Sequence, residues 1–143
     1  DEKELALMCA SHKGEDIHVD TASSMINKLD MNIDDFECGS HYPSDTITRH
    51  KMIRENEVAT ALHNNCSGKH AGMLALAKHL GAETKGYINE EHPVQRIILE
   101  YVAELSGESD IPTETDGCSA PTPFMTLKMI AEIFQSLDTC KTP

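Results

Sequence analysis

Tryptophan is absent from this 143-residue chain and aromatic residues make up only 4% of it, so a core has to be built from leucine, isoleucine, alanine and methionine. Basic residues are scarce as well. Twelve Lys and Arg against 24 Asp and Glu leave a formal charge of −12. A nucleic-acid partner is thereby disfavoured, because phosphate binding needs a basic surface. An anionic membrane surface is disfavoured for the same reason. No run approaches the roughly 20 apolar residues of a transmembrane helix, so no membrane role is expected. No signal peptide is visible, although a chain that opens at Asp1 leaves its true start open. The length suits one domain, and 39% hydrophobic with 25% charged residues is ordinary for a soluble protein.

Close cysteine pairs are missing too. The five cysteines (Cys9, Cys38, Cys66, Cys118 and Cys140) form an odd set with no C-x-x-C. A short secreted chain stapled by disulfides would want an even number, so reduced thiols in a cytoplasm fit better. Several catalytic signatures fail on inspection. A phosphate loop would need Gly where His63 stands and Ser or Thr where His70 stands. Neither a G-x-S-x-G elbow nor an H-E-x-x-H occurs, and no S-x-x-K is found.

What the chain does have is one stretch dense in chemistry: His63-Asn64-Asn65-Cys66-Ser67-Gly68-Lys69-His70-Ala71-Gly72-Met73. From Ser67 the residues favour a helix. Met73, Leu76, Ala77 and Leu80 recur at i, i+3, i+4 and i+7, and Gly81 follows as a stop. Ser67 or Asn65 is the expected cap, which leaves Cys66 and Lys69 within one turn of a positively polarised helix end. That position favours the thiolate and the neutral amine, the forms that bind metals or attack electrophiles. The plain alternative is a capped helix with a buried cysteine and a solvated lysine.

Around this stretch the chain reads as helix-rich. Glu4 to Ala10 predicts a brief buried strand or helix end, followed by a polar turn closing at Gly14. Asp20 or Thr21 would cap a helix with Ala22, Met25, Ile26 and Leu29 inward. Asn32 to Phe36 looks like a single helical turn, Cys38 to Pro43 like a loop, and a polar helix follows from Ser44 to about Asn56. Gly86 to Glu91 reads as a linker. His92-Pro93 opens the cleanest helix, with Val94, Ile97, Ile98, Tyr101, Val102 and Leu105 in register and Gly107 at its end. A last helix turns Leu127, Ile130, Ala131 and Phe134 inward. Met129 and Ile133 on its other side suggest a core helix.

The central stretch, with Cys9-Ala10-Ser11-His12-Lys13-Gly14-Glu15 and Asp116-Gly117-Cys118-Ser119-Ala120-Pro121, resembles the asparaginase II family. These are the rhizobial-type L-asparaginases, similar in fold to serine β-lactamases and penicillin-binding proteins. Three motifs in the right order, spread from about Leu5 to about Leu137, carry the resemblance. It implies an α/β (α+β) β-lactamase-like fold, of which residues 1–143 would be the central, helix-rich part. The flanking parts of the family domain would lie outside. It also implies zinc held by Cys66, Lys69 and Cys118, with Asp116 beside the open fourth position and with His70 and Asn65 lining a substrate pocket. A lysine ligand must be neutral, and a dication one bond away lowers its ordinary pKa of about 10.4 far enough.

Ser11 matches the serine of one of the family's two Ser–Lys pairs. A serine hydroxyl needs a base within reach, and a desolvated lysine is one. By the resemblance, the first pair lies before residue 1 and the partner of Ser11 after residue 143, which leaves the activity of these residues alone open. The activity implied is hydrolysis of L-asparagine to L-aspartate and ammonia, by a protein that forms a homodimer at full length. Two rivals stay open. A serine-dependent glutaminase differs by one substrate methylene, worth only about 1–3 kcal/mol in a pocket. A non-catalytic zinc-binding module on the same scaffold would bind metal without turnover. His12, His18, His41 and His63 are most simply turn and surface residues, with a pocket role open for His12 and His63. Asn64 and Asn65 could each orient a substrate amide or satisfy a buried loop.

Overall fold

Six α-helices and one small hairpin are found in the computed structural model, which describes residues 1–139; Cys140 lies outside them. The chain divides into two units, residues 1–87 and 88–143.

The first unit holds α1 (Glu2–Cys9), α2 (Asp16–Lys28), α3 (Thr46–Glu55) and α4 (Ser67–Leu80), with 3₁₀ turns at Ile33–Asp35 and Ala61–His63. Helices α1, α2 and α4 pack on one another pairwise. Leu7 of α1, then Ala22, Met25 and Ile26 of α2, and Ala71, Leu74 and Ala77 of α4 are buried. The core is therefore aliphatic, as the composition requires. Glycine sets the closest approach. A Cβ on Gly68 would lie 2.3 Å from the Leu7 carbonyl oxygen, so only hydrogen lets α1 reach the first turn of α4.

Residues 2–9 form a helix, one of the two forms expected there, and Asp1 and Glu4 close a capping box at its start. Two expectations change here. Helix α2 begins before Asp20: the Glu15 N–H donates to His18 Nδ1 at 3.1 Å and nucleates the first turn there. On α4 the buried line runs through Ser67, His70, Ala71, Leu74 and Ala77, while Leu80 is exposed. Two polar residues in that line hid it from a hydrophobic pattern.

The second unit contains α5 (Pro93–Ser106), β1 (Thr113–Thr115), β2 (Pro121–Pro123) and α6 (Leu127–Thr139). Helices α5 and α6 pack together, and the strands pair antiparallel with Glu114 opposite Thr122. Helix α5 starts and stops where expected. His92 accepts from the Val94 N–H at 3.2 Å, Pro93 stands at the first turn, and Gly107 closes the end at φ 72°. Helix α6 does not become a core helix: Leu127 is 85% and Phe134 67% exposed, and Ala131 is exposed. Among the described residues no helix is long and apolar enough to cross a membrane.

Candidate active site

The loop that carries Ser11 is stitched to the start of α4. The His12 backbone N–H donates to the Asn65 carbonyl at 3.1 Å. The buried His12 ring then fixes both ends of the junction. Its Nδ1 accepts from the Gly14 N–H at 3.1 Å, so the proton sits on Nε2 and is donated to Ser67 Oγ at 2.9 Å. His12 also stacks on His18 with ring centroids 4.9 Å apart. Burial, then the neighbouring His18 and His41, pushes the His12 pKa down to about 4. The ring is neutral at neutral pH, as its hydrogen bonds require. Gly14 completes the loop at φ +76°, where a Cβ would meet the His63 carbonyl at 2.9 Å.

The neighbouring asparagines have separate roles. Asn64 is buried and spends its carboxamide on backbone: Nδ2 donates to the Gly39 carbonyl at 2.7 Å, and Oδ1 accepts from the Cys66 N–H at 2.8 Å. It ties the 38–43 loop to the start of α4. Asn65 is turned the other way, towards His41 at 3.1 Å and Ser11 Oγ at 3.5 Å. His63 caps its own turn, accepting from the Thr60 N–H at 3.1 Å; burial lowers its pKa against the opposing pull of that bond, Glu57 and Asp16.

Cys66, not Ser67 or Asn65, is the N-cap of α4, and it makes no side-chain cap bond. Its thiol is half-buried and not in a disulfide. Lys69 follows at i+3, on the same face of the first turn. His70, one residue on, is fully buried, and its Nδ1 lies 2.7 Å from the Tyr87 hydroxyl. That hydroxyl also accepts from the Glu37 N–H at 2.8 Å. Tyr87 was legible only as part of a linker; packing alone makes it a partner of the motif.

Beside Ser11 opens a cleft of about 480 Å³, with Ala6, Leu7 and Ala10 on one wall and Lys13 and His18 at its polar edge. Ser11 and Lys13 are exposed. The volume suits a small molecule.

The second unit holds the other two predicted site residues. Asp116 and Cys118 stand in the loop that joins β1 to β2. The Asp116 carboxylate accepts from the Cys118 N–H, and the Asp116 carbonyl from the Ser119 N–H at 3.0 Å. Ser119 takes φ 72°, and the loop closes through the Asp116 N–H to the Ala120 carbonyl at 3.0 Å. Cys118 is a buried thiol outside any disulfide. Thus Ser11, Asn65, Cys66, Lys69 and His70 gather around one helix start, while Asp116 and Cys118 share one hairpin loop. Thiolates are among the usual ligands of zinc, whereas a lysine amine lies outside that usual set.

Residues 1–142 match the family model for L-asparaginase II, and the chain belongs to that family. No curated protein matches it.

Proposed function

We propose that this member of the L-asparaginase II family hydrolyses the side-chain amide of L-asparagine to L-aspartate and ammonia, with Ser11 as nucleophile and a β-lactamase-like fold around it. The observation that carries the reading is the junction between two distant motifs. The Ser11 loop and the Cys66 helix start are held together by the His12–Asn65 backbone bond and the buried His12–Ser67 bond. A nucleophile must be fixed to better than about 1 Å to be useful, and a hydrogen-bonded loop on a helix start provides that.

In the reaction, Ser11 Oγ attacks the amide carbon and its proton passes to a neutral lysine acting as base. Hydrogen-bond donors hold the oxyanion. The C–N bond breaks, the nitrogen takes the proton and leaves as ammonia, and an acyl–Ser11 ester remains. Water then cleaves the ester, giving aspartate and restoring Ser11. Asn65 and Asp116 are proposed to bind the substrate, while His70, fully buried against Tyr87, supports the helix start from behind. Cys66, Lys69 and Cys118 are the residues proposed to hold zinc. The ion would supply Lewis acidity and a fixed positive charge at the pocket.

Metal content measured by mass spectrometry, beside ammonia release from L-asparagine and from L-glutamine, tests this reading. One zinc per chain, lost in Cys66→Ala, and asparagine turnover lost in Ser11→Ala are expected. Preference for glutamine would move the assignment to a glutaminase. Zinc without ammonia would make these residues a metal-binding module, and a folded, zinc-free chain would sink the metal site.

A further inference from the structure

The cleft beside Ser11 offers more apolar surface than asparagine can use. Helices α1 and α2 pack on one another, joined by the 10–15 loop, and the cleft runs between them. On the α1 side its lining extends from Lys3 to Ala10, about 10 Å at the helical rise. Ala6 and Ala10 line that side with single methyl groups, which leaves room for a chain. Ile17 lines the α2 side and is 58% exposed, so its apolar surface is open to a ligand. The Thr21 hydroxyl is spent on the Ile17 carbonyl at 2.7 Å and adds no free donor to the wall. L-Asparagine, charged at one end and an amide at the other, has little apolar surface for such walls.

Polar groups gather instead at the loop end. Ser11 Oγ receives one long contact, from Asn65 Nδ2 at 3.5 Å, so its own hydrogen is left to give. His18 Nδ1 accepts from the Glu15 N–H at 3.1 Å, which puts a ring proton on Nε2. Lys13 adds an exposed ammonium. Among the described residues neither Lys3 nor Lys13 is in an ion pair, although acidic residues outnumber basic ones 24 to 12. Bonds from Thr48 hold the Asp45 pKa down, and Lys13 adds to this only through space. Glu15 is the one acidic residue on the lining, so the cleft is locally cationic on a chain of charge −12.

We infer that this cleft binds a medium-chain monocarboxylate, its alkyl chain along Ala6, Ala10 and Ile17 and its carboxylate at Ser11, Lys13 and His18. An ionised carboxylate only accepts, and its two oxygens offer about four lone-pair sites. The loop end meets them with a hydroxyl, an ammonium and an imidazole N–H. Apolar walls with a few convergent polar groups are the usual pattern of a small-molecule site. An extended chain of about eight carbons spans roughly the 10 Å of the α1 wall. The inference stands beside the asparagine reading and does not depend on Ser11 being a nucleophile.

The test titrates the whole 143-residue chain with sodium octanoate, sodium butyrate and octan-1-ol, followed by calorimetry and ¹H–¹⁵N spectra. Octanoate is expected to bind saturably, one per chain, with the largest shifts at Ala6, Ala10, Ile17 and His18. Octan-1-ol, which lacks the carboxylate, should bind about tenfold more weakly, the scale of a charge-assisted hydrogen bond. Butyrate, four methylenes shorter, should lose about a hundredfold. Lys13→Ala is expected to weaken octanoate about tenfold and Lys3→Ala to leave it within about twofold, because the head group sits at the loop end. Ala6→Trp and Ile17→Asp, both at exposed helical positions, should abolish binding, the first by filling the cleft and the second by charging its wall. Circular dichroism checks that each variant folds, and either one suffices if the other does not. Absence of saturable binding, or octan-1-ol binding as well as octanoate, would overturn the inference. So would shifts centred on the exposed Leu127 and Phe134 of α6, or octanoate binding that survives in a folded Ala6→Trp or Ile17→Asp chain. A tenfold loss in Lys3→Ala with none in Lys13→Ala would overturn the placement of the carboxylate.

Discussion

Helices α4 and α6 make an instructive pair. The first carries an irregular apolar pattern broken by Ser67 and His70, yet its line from Ser67 to Ala77 is buried against α1 and α2. The second carries a clean amphipathic stripe and has no fully buried residue. Periodicity reports that a helix has an apolar side; it does not report that anything lies on that side. Burial needs a partner surface of matching shape, and on α4 that partner comes close enough only because Gly68 has no side chain. Polar residues survive in the buried line of α4 because each finds a partner, Ser67 in His12 and His70 in Tyr87.

The contrast is tested most severely at Leu74. Leu74→Ala, at a side chain with no exposure, should cost about 2–5 kcal/mol, whereas Leu127→Ala on α6 should stay within about 0.5 kcal/mol. Urea titrations followed by circular dichroism compare the two, and equal costs would mean that α6 is covered in solution. Next, Gly68→Ala drives a methyl group into the Leu7 carbonyl and should cost about 1–3 kcal/mol by overpacking. Gly117→Ala in the hairpin loop meets nothing within 4 Å and serves as the neutral control.

The junction itself should respond to acid. The His12 pKa is lowered from 6.5 to about 4 in the folded chain, so on acidification the unfolded chain takes up the proton first. Stability from this group is complete above about pH 6.5, falls as pH drops through that window, and stops falling once the folded ring protonates near pH 4. The loss amounts to on the order of 2 kcal/mol. His12→Asn should flatten that slope in denaturant midpoints measured from pH 7 to pH 4; an unchanged slope would assign it to other groups. Smallest is the cap of α5. His92→Ala should cost about 1 kcal/mol by removing the acceptor for the Val94 N–H, read as a shift in the urea midpoint of the second unit.

Much of the helix map was legible in the residues. The stops at Gly81 and Gly107, the single turn near Asn32 and the helix opened by Pro93 all lie where local chemistry puts them, because capping and φ preference act within one turn. Candidate site residues were legible as a cluster too, since the dense stretch and the Ser11 segment stand out by composition. What was not legible is how the neighbouring asparagines divide their work, Asn64 towards backbone and Asn65 towards His41 and Ser11. Tyr87 had no local signal, and His12 and His41 read as turn residues.

By itself the sequence determined an acidic, tryptophan-free, helix-forming chain whose thiol and amine share one helix start, and it carries the motifs by which its family is recognised. Only the tertiary structure decided which side of α4 faces inward, which imidazole nitrogen holds the proton, and which carboxamide meets Ser11. The reason is range. A cap or a glycine stop draws on residues a few positions away, whereas Ser11 and Asn65 stand 54 residues apart, and His12 and Ser67 stand 55. Groups that distant acquire each other as partners only when packing brings them together, and a buried polar atom then takes whatever role its neighbour leaves it.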